Sequence, residues 1–238
     1  MSAKTTGKGR NNMRRSEINT LVQDSIELFD RMGFKTPDWV RWSPARWKGH
    51  AAECREIVDN YLGWDLTDFG SGKFDECGLI MLTLRNGNMK NNAYVKKYAE
   101  KLLVVREGQL TPIHFHWSKM EDIINRGGGN LVVHVWGSTE GEGLSEDDIS
   151  VSIDGFEKRF KAGEAFVLHP GQSVFFKPGM YHKFYGEHGK GTVLVGEVSS
   201  VNDDTIDNRF LERQPRFPSI EEDEPMRYPL FSEIERCL

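Results

Sequence analysis

His114 and His116 stand one residue apart in TPIHFH, and Lys119 and Glu121 follow within five residues. Side chains on an extended strand alternate between faces, so the two imidazoles project to one side, about two strand rises apart, close enough to grip one ion. Glu121 is expected just beyond that strand, where the chain turns a carboxylate back toward the rings. A third imidazole is available from PGMYH, where His182 follows a Pro-Gly turn at the end of another strand. Three neutral imidazoles and one carboxylate leave one or two positions open on a divalent metal, an arrangement suited to catalysis rather than to structure. The glycines Gly127, Gly128 and Gly129 permit a tight reversal into the next strand.

Two further groups are predicted to face the same interior. In TVLVGEVSS, Glu197 shares a strand face with Val193 and Val195, and in YAEKLLVV, Lys101 shares one with Ala99, Leu103 and Val105. An acid on an apolar face is costly unless it is paired or functional. Lys119, between the histidine pair and Glu121, is a candidate substrate contact. Asp204, Asp207 and Arg209 in NDDTIDNRF are candidates for substrate hydroxyls or for the rim. His134, alone on its strand with Val132 and Trp136, reads as a core or pocket-wall residue rather than a ligand.

The elements that must position these groups follow from pattern. Residues 1–12 are polar and basic and read as a disordered tail, with 13–238 as one domain. Within it, 13–76 read as a helical lead: Ile18, Leu21, Val22, Ile26 and Phe29 recur at threes and fours, Ser16 stands where it can cap the start, and Gly33 supplies a stop. Residues 77–200 read as a β-barrel or jelly roll, because short β-rich stretches recur at roughly ten-residue spacing between Gly, Asn and Pro turns. Residues 201–238, including the acidic EEDEP, read as an irregular C-terminal cover with a solvated acidic face or lid edge.

Composition narrows the functions. The formal charge of -5 leaves no basic stripe to neutralise phosphates, so nucleic acid is not expected as a partner. No run of about 18 apolar residues is present, so no membrane span is expected. Three widely spaced cysteines without a CxxC point to reduced thiols and a cytoplasmic protein.

The first histidine segment fits the motif G(X)5HXH(X)4E(X)6G of the cupin superfamily at Gly108, His114, His116, Glu121 and Gly128. Its second motif is matched by Gly171, Gly179 and His182, with the proline one place late at Pro178 and Gly186 in the terminal asparagine position. Within that superfamily the chain from Met13 onward resembles the D-lyxose ketol-isomerase family, through RSEIN, LGWDLTDFG, LTLRNG, YVKKYAEK, TPIHFHWSKMEDIINRGGGNLVVHVW, LVGEVSSVNDDTIDNRF and EEDEP.

The resemblance implies a mainly β, cupin-type barrel with an N-terminal helical segment. It also implies a homodimer, one divalent ion per subunit, often manganese, and interconversion of D-lyxose with D-xylulose, with some activity on mannose and fructose. In such a reaction Glu197 is the candidate proton shuttle and Lys101 the candidate stabiliser of an enediolate. One four-ligand site favours this proton-transfer route over a metal-assisted hydride shift. Cobalt, zinc and iron suit the same ligands. A metal-dependent oxygenase and a non-catalytic sugar-binding cupin remain as alternatives. A phosphosugar isomerase is less favoured, since no Arg and Lys cluster follows the ligand strands.

Overall fold

Alternation along three adjoining strands builds two hydrophobic clusters on opposite faces of one sheet. In Leu79–Arg85, Tyr98–Val105 and Val193–Ser200, the side chains of Leu79, Met81, Leu103, Val105, Val193 and Val195 join one cluster. Ile80, Leu82, Leu84, Leu102, Val104 and Leu194, their neighbours in sequence, join the other. Period-two side-chain placement is the cause, and it requires both faces of the sheet to be covered.

The computed structural model describes residues 12–203, 206–212 and 219–238. Its larger sheet is antiparallel throughout. In spatial order it runs Gly63–Thr67, Leu79–Arg85, Tyr98–Val105, Val193–Ser200, Glu121–Gly128, Ser173–Phe176, Ile149–Ile153 and Phe156–Phe160. A second antiparallel sheet runs Ala165–Leu168, Leu131–Trp136, Tyr181–Gly186, His114–His116 and Asn208–Phe210. Leu131, Val133, Val135, Phe166, Leu168 and Phe184 of the second sheet pack into the same cluster as the inward residues of the first, which gives the mainly β, cupin-type barrel that the sequence led us to expect.

The outer cluster is closed by the helix Arg15–Arg31, whose Ile18, Val22, Ile26 and Phe29 are buried against the sheet, with Phe29 stacked on Trp64 at 5.8 Å. Burying each such side chain contributes about 1.5–3 kcal/mol. Gly33, at φ +69°, follows this helix in the left-handed conformation that ends helices.

Several expectations need correction. The lead is not wholly helical: Gly63–Thr67 is a strand of the larger sheet, because LGWDLTDFG places Trp64 and Leu66 against the helix and pairs with Leu79–Thr83. The barrel likewise extends past residue 200, taking Asn208–Phe210 from the cover. Ser16 does not cap the helix; its hydroxyl donates to Asp223 Oδ2 at 2.7 Å. EEDEP lies largely exposed, as expected of a solvated acidic face, with the Glu222 side chain 52% exposed, and it also clasps the helix start. Glu222 accepts from Arg15 Nε and Nη2 at 2.8 Å, Asp223 accepts from the Ser16 amide at 2.9 Å, and Glu224 accepts from Asn19 at 2.6 Å. Carboxylates gather there because the helix N-terminus is the positive end of its dipole. His134 faces outward, half-buried against Trp136 and Tyr185, while Val133 and Val135 take the interior. Except for Asn12, which lies in a short strand, the expected disordered tail falls outside the described residues.

Candidate functional site

The register of the smaller sheet sets His182 opposite His114, so the Tyr181–Gly186 strand delivers the third imidazole to the first two. Ring centroids lie 4.3 Å apart for His114 and His182 and 5.2 Å apart for His114 and His116. One nitrogen from each of the three rings falls within 4.8 Å of the others, a grouping that could hold a metal ion. Phe176 stacks on His182 at 4.2 Å and Phe210 lies 5.4 Å from His114, so apolar rings fix the imidazole planes.

Each ring is also held through Nδ1. His114 Nδ1 faces Pro112 O at 2.8 Å, His116 Nδ1 faces Asp207 O at 3.1 Å, and His182 Nδ1 faces Met180 O at 3.0 Å. A carbonyl oxygen only accepts, so Nδ1 carries the proton in all three rings and the lone pair of a neutral ring sits on Nε2. This is the arrangement that carbonyl partners impose on metal-binding histidines. Burial holds the His114 imidazole well below its usual pKa, and the neighbouring His182 and His116 add to the effect.

Glu121 lies beyond the histidine strand, as expected, and opens the next one, Glu121–Gly128. Its Oε1 lies 3.3 Å from His116 Nε2 and 3.2 Å from His182 Nε2. His182 Nε2 is buried with no hydrogen-bond partner. Lone pairs thus converge on one point, and three clustered, buried rings cannot all take up protons to relieve it. A divalent cation bound by nitrogen and carboxylate donors fits this orphaned set.

The other oxygen of Glu121, Oε2, lies 2.6 Å from Lys119 Nζ. Lys119 Nζ is also 2.8 Å from Glu197 Oε1, and Lys101 Nζ reaches the same Glu197 oxygen at 3.4 Å. Two ammonium groups and two carboxylates therefore balance in the interior, where an unpaired charge is expensive. Burial works to raise the Glu121 pKa, but the Lys119 charge and then His116 hold the carboxyl well below its usual range. Glu197 and Lys101 stand opposite each other because Val193–Ser200 pairs with Tyr98–Val105 in that register.

Asp207 and Arg209 are not brought to this cavity. The Asp207 carboxylate accepts from the Ser118 and Lys119 amides at 2.9 and 2.8 Å, and so shapes the loop between His116 and Glu121. Arg209 turns to the opposite face of its strand and donates through Nε to Glu142 at 2.8 Å. Asp204 lies outside the described residues. Thr111, Phe184 and Phe210 are among the wall residues that were not anticipated. Phe184 shares a face with His182 and was legible by alternation, whereas Phe210 reaches the site only through the pairing of Asn208–Phe210 with His114–His116. The glycines after Glu121 also find their reason: a Cβ on Gly128, at φ +91°, would lie 2.1 Å from Thr192 O.

The family model described as D-lyxose isomerase matches residues 13–234. The D-lyxose/D-mannose isomerase of Escherichia coli O157:H7 is 47% identical over 225 residues, covering 94% of this chain and 99% of that protein. The protein of the same name from Serratia proteamaculans is 45% identical over 227 residues, covering 95% and 100%. In fold, the chain resembles the L-ribose isomerase of Cellulomonas parahominis crystallised with L-ribose, at a TM-score of 0.53 and 15% identity over 89% of this chain and all of that one. The L-ribose isomerase of Acinetobacter sp. DL28, also in complex with L-ribose, gives 0.52 and 16% over 90% of this chain and all of that one. A family match along almost the whole described chain, and relatives near half identity, establish that the chain belongs to the D-lyxose isomerase family.

Proposed function

We propose that this sugar isomerase interconverts D-lyxose with D-xylulose, and D-mannose with D-fructose, using one divalent ion per subunit. Manganese is the ion we assign, with His114, His116, Glu121 and His182 as its ligands. The observation that carries the reading is the convergence of three Nε2 lone pairs and Glu121 Oε1 beside a buried Glu197 flanked by two lysines. The relatives named D-lyxose/D-mannose isomerase supply the substrate class.

When bound, the ion would supply Lewis-acid polarisation of the sugar carbonyl. The chain's own residues do the rest. Glu197 takes the proton from C2 of the aldose, the electron pair forms the C1–C2 double bond of an enediol, and the carboxyl, whose proton exchanges with solvent, delivers a proton to C1. The O2 hydroxyl proton passes to O1, so atoms and electrons balance. Lys101 donates a hydrogen bond to the oxygen on which negative charge develops. Lys119, which the sequence offered as a sugar contact, holds Glu121 and Glu197 in place. Apolar walls from Phe69, Leu79, Met81, Phe184 and Phe210 exclude water from the reacting carbons. The same reading takes the enzyme as a homodimer acting in the cytoplasm, for which its three unpaired cysteines are suited.

The test is turnover of free pentoses and hexoses by chelated protein re-supplied with manganese, cobalt, zinc or iron. Ketose should form from D-lyxose with manganese and cease on chelation. In heavy water, solvent deuterium should enter the product at C1, and Glu197→Gln should lower kcat by about 10²–10⁴-fold with metal content unchanged. Full retention of the substrate hydrogen would replace proton transfer with a hydride shift.

A further inference from the structure

Thr111 has a hydroxyl with nothing to bond. The residue is 3% exposed and lines the cavity, and its Oγ1 is buried without a hydrogen-bond partner. Buried hydroxyls are nearly always paired, so an orphan in a ligand cavity calls for a specific explanation. Phe69, Leu79, Phe184 and Phe210, which also line the cavity, offer no side-chain acceptor or donor.

The hydroxyl is also held rigidly. Pro112 follows and confines Thr111 to extended backbone, and β-branching stiffens its χ1. The Thr111 amide donates to Phe184 O at 3.1 Å, and Pro112 O accepts from His114 Nδ1 at 2.8 Å. One short segment thus fixes the Thr111 hydroxyl relative to an imidazole of the metal-binding cluster. Such fixed geometry is what a substrate contact requires.

Its place along the sheet says which part of a sugar it meets. Gly78 donates to Leu110 O at 3.3 Å, which sets Thr111 beside the start of Leu79–Arg85. Lys101 pairs with Thr83, four residues further along that strand, and Glu197 pairs with Lys101. Thr111 therefore stands at the opposite end of the cavity from the Glu197–Lys101 pair.

We propose that Thr111 is a substrate-positioning residue whose hydroxyl hydrogen-bonds a sugar hydroxyl remote from the reacting C1 and C2. This deepens the isomerase reading above and rests on it. A buried hydroxyl built to meet a ligand hydroxyl leaves both unpaired when either is removed, which is how such sites discriminate.

The experiment compares wild type, Thr111→Val and Thr111→Ser, each supplied with manganese, on D-lyxose and its 4-deoxy and 5-deoxy analogues. Valine keeps the shape and deletes the hydroxyl, so the melting temperature should hold or rise. On D-lyxose the valine variant should lose about 10–100-fold in kcat/KM, mostly through KM, while serine retains activity. On the analogue that lacks the contacted hydroxyl, wild type and valine variant should coincide. Equal kcat/KM for wild type and Thr111→Val on D-lyxose overturns the proposal, as does an equal loss on every sugar. If wild type itself forms no ketose, the isomerase reading fails, and calorimetric titration of the same proteins with D-lyxose still decides the Thr111 contact: weaker binding by the valine variant supports it, and equal binding removes it.

Discussion

Lys119 sets its ammonium 2.6 Å from Glu121 Oε2, on the side of the carboxylate away from the imidazoles, and so leaves Oε1 facing His116 and His182. The same ammonium touches Glu197 Oε1 at 2.8 Å, so one cation positions a metal-facing acid and the proposed proton shuttle together. Replacing Lys119 by methionine leaves two buried carboxylates short of a counter-charge. Breaking a buried pair from one side costs about 3–5 kcal/mol, and losing support behind a ligand typically costs about 10–100-fold in metal affinity or activity. Thermal melting and manganese titration of Lys119→Met should show both losses. Wild-type affinity in the variant would mean that Lys119 does not orient Glu121.

Metal should stabilise the fold, because the orphaned lone pairs exist only in the folded state. At a hundredfold excess over Kd, a ligand that binds only the native state adds about 2.7 kcal/mol. Chelated protein should therefore melt lower than manganese-supplied protein. His182→Ala should largely abolish the difference. A melting temperature indifferent to metal in the wild type would count against the four-ligand site.

Asp207 links two parts of the site without entering the cavity. Its carboxylate holds the Ser118 and Lys119 amides, and its own carbonyl accepts from His116 Nδ1 at 3.1 Å. Asp207→Ala removes the acceptor for two amides, which costs about 1–3 kcal/mol for each one left unpaired. The expected result is a lower melting temperature together with a lower kcat, since Lys119 loses its anchor. A fall in stability alone, with kcat intact, would show that the loop keeps its shape unaided.

Acid should loosen the helix clasp before neutral conditions do. The Arg15 hydrogen bond holds the Glu222 carboxyl below its usual pKa, and the Ser16 hydroxyl and amide do the same for Asp223. Groups whose folded pKa lies below the unfolded value, about 4.3 for Glu and 3.9 for Asp, stabilise fully above that value and lose their contribution as pH falls through the folded pKa. Stability should thus decline below about pH 4. In Glu222→Gln the slope of stability against pH in this window should be shallower, measurable by denaturant unfolding from about pH 6 to about pH 3. An unchanged slope would place the acid sensitivity elsewhere.

Much of the site was open to reading along the chain. The spacing of His114, His116 and Glu121 within one segment, and the shared face of Glu197 with Val193 and Val195, follow from local geometry alone. Lys101 was readable for the same reason, since Leu103 and Val105 mark its face as the inner one. The errors share a cause. LGWDLTDFG was grouped with its helical neighbours because nothing local distinguishes an edge strand from a loop. The clasp made by EEDEP was not readable because its partners, Arg15, Ser16 and Asn19, lie at the other end of the chain. Asp207 and Arg209 looked like sugar ligands because polar residues near a site are ambiguous until their hydrogen bonds are known.

The sequence by itself determined which side chains share a strand face, because alternation is set by backbone geometry and does not depend on partners. It therefore settled the inward set and the family motif. Only the tertiary structure decided which faces meet: the register that sets His182 opposite His114, the Lys119 ammonium between Glu121 and Glu197, and the unpaired Thr111 hydroxyl. Those relations join residues far apart in the chain, and they are fixed by strand pairing and by the need to balance charge out of water, which no local pattern records.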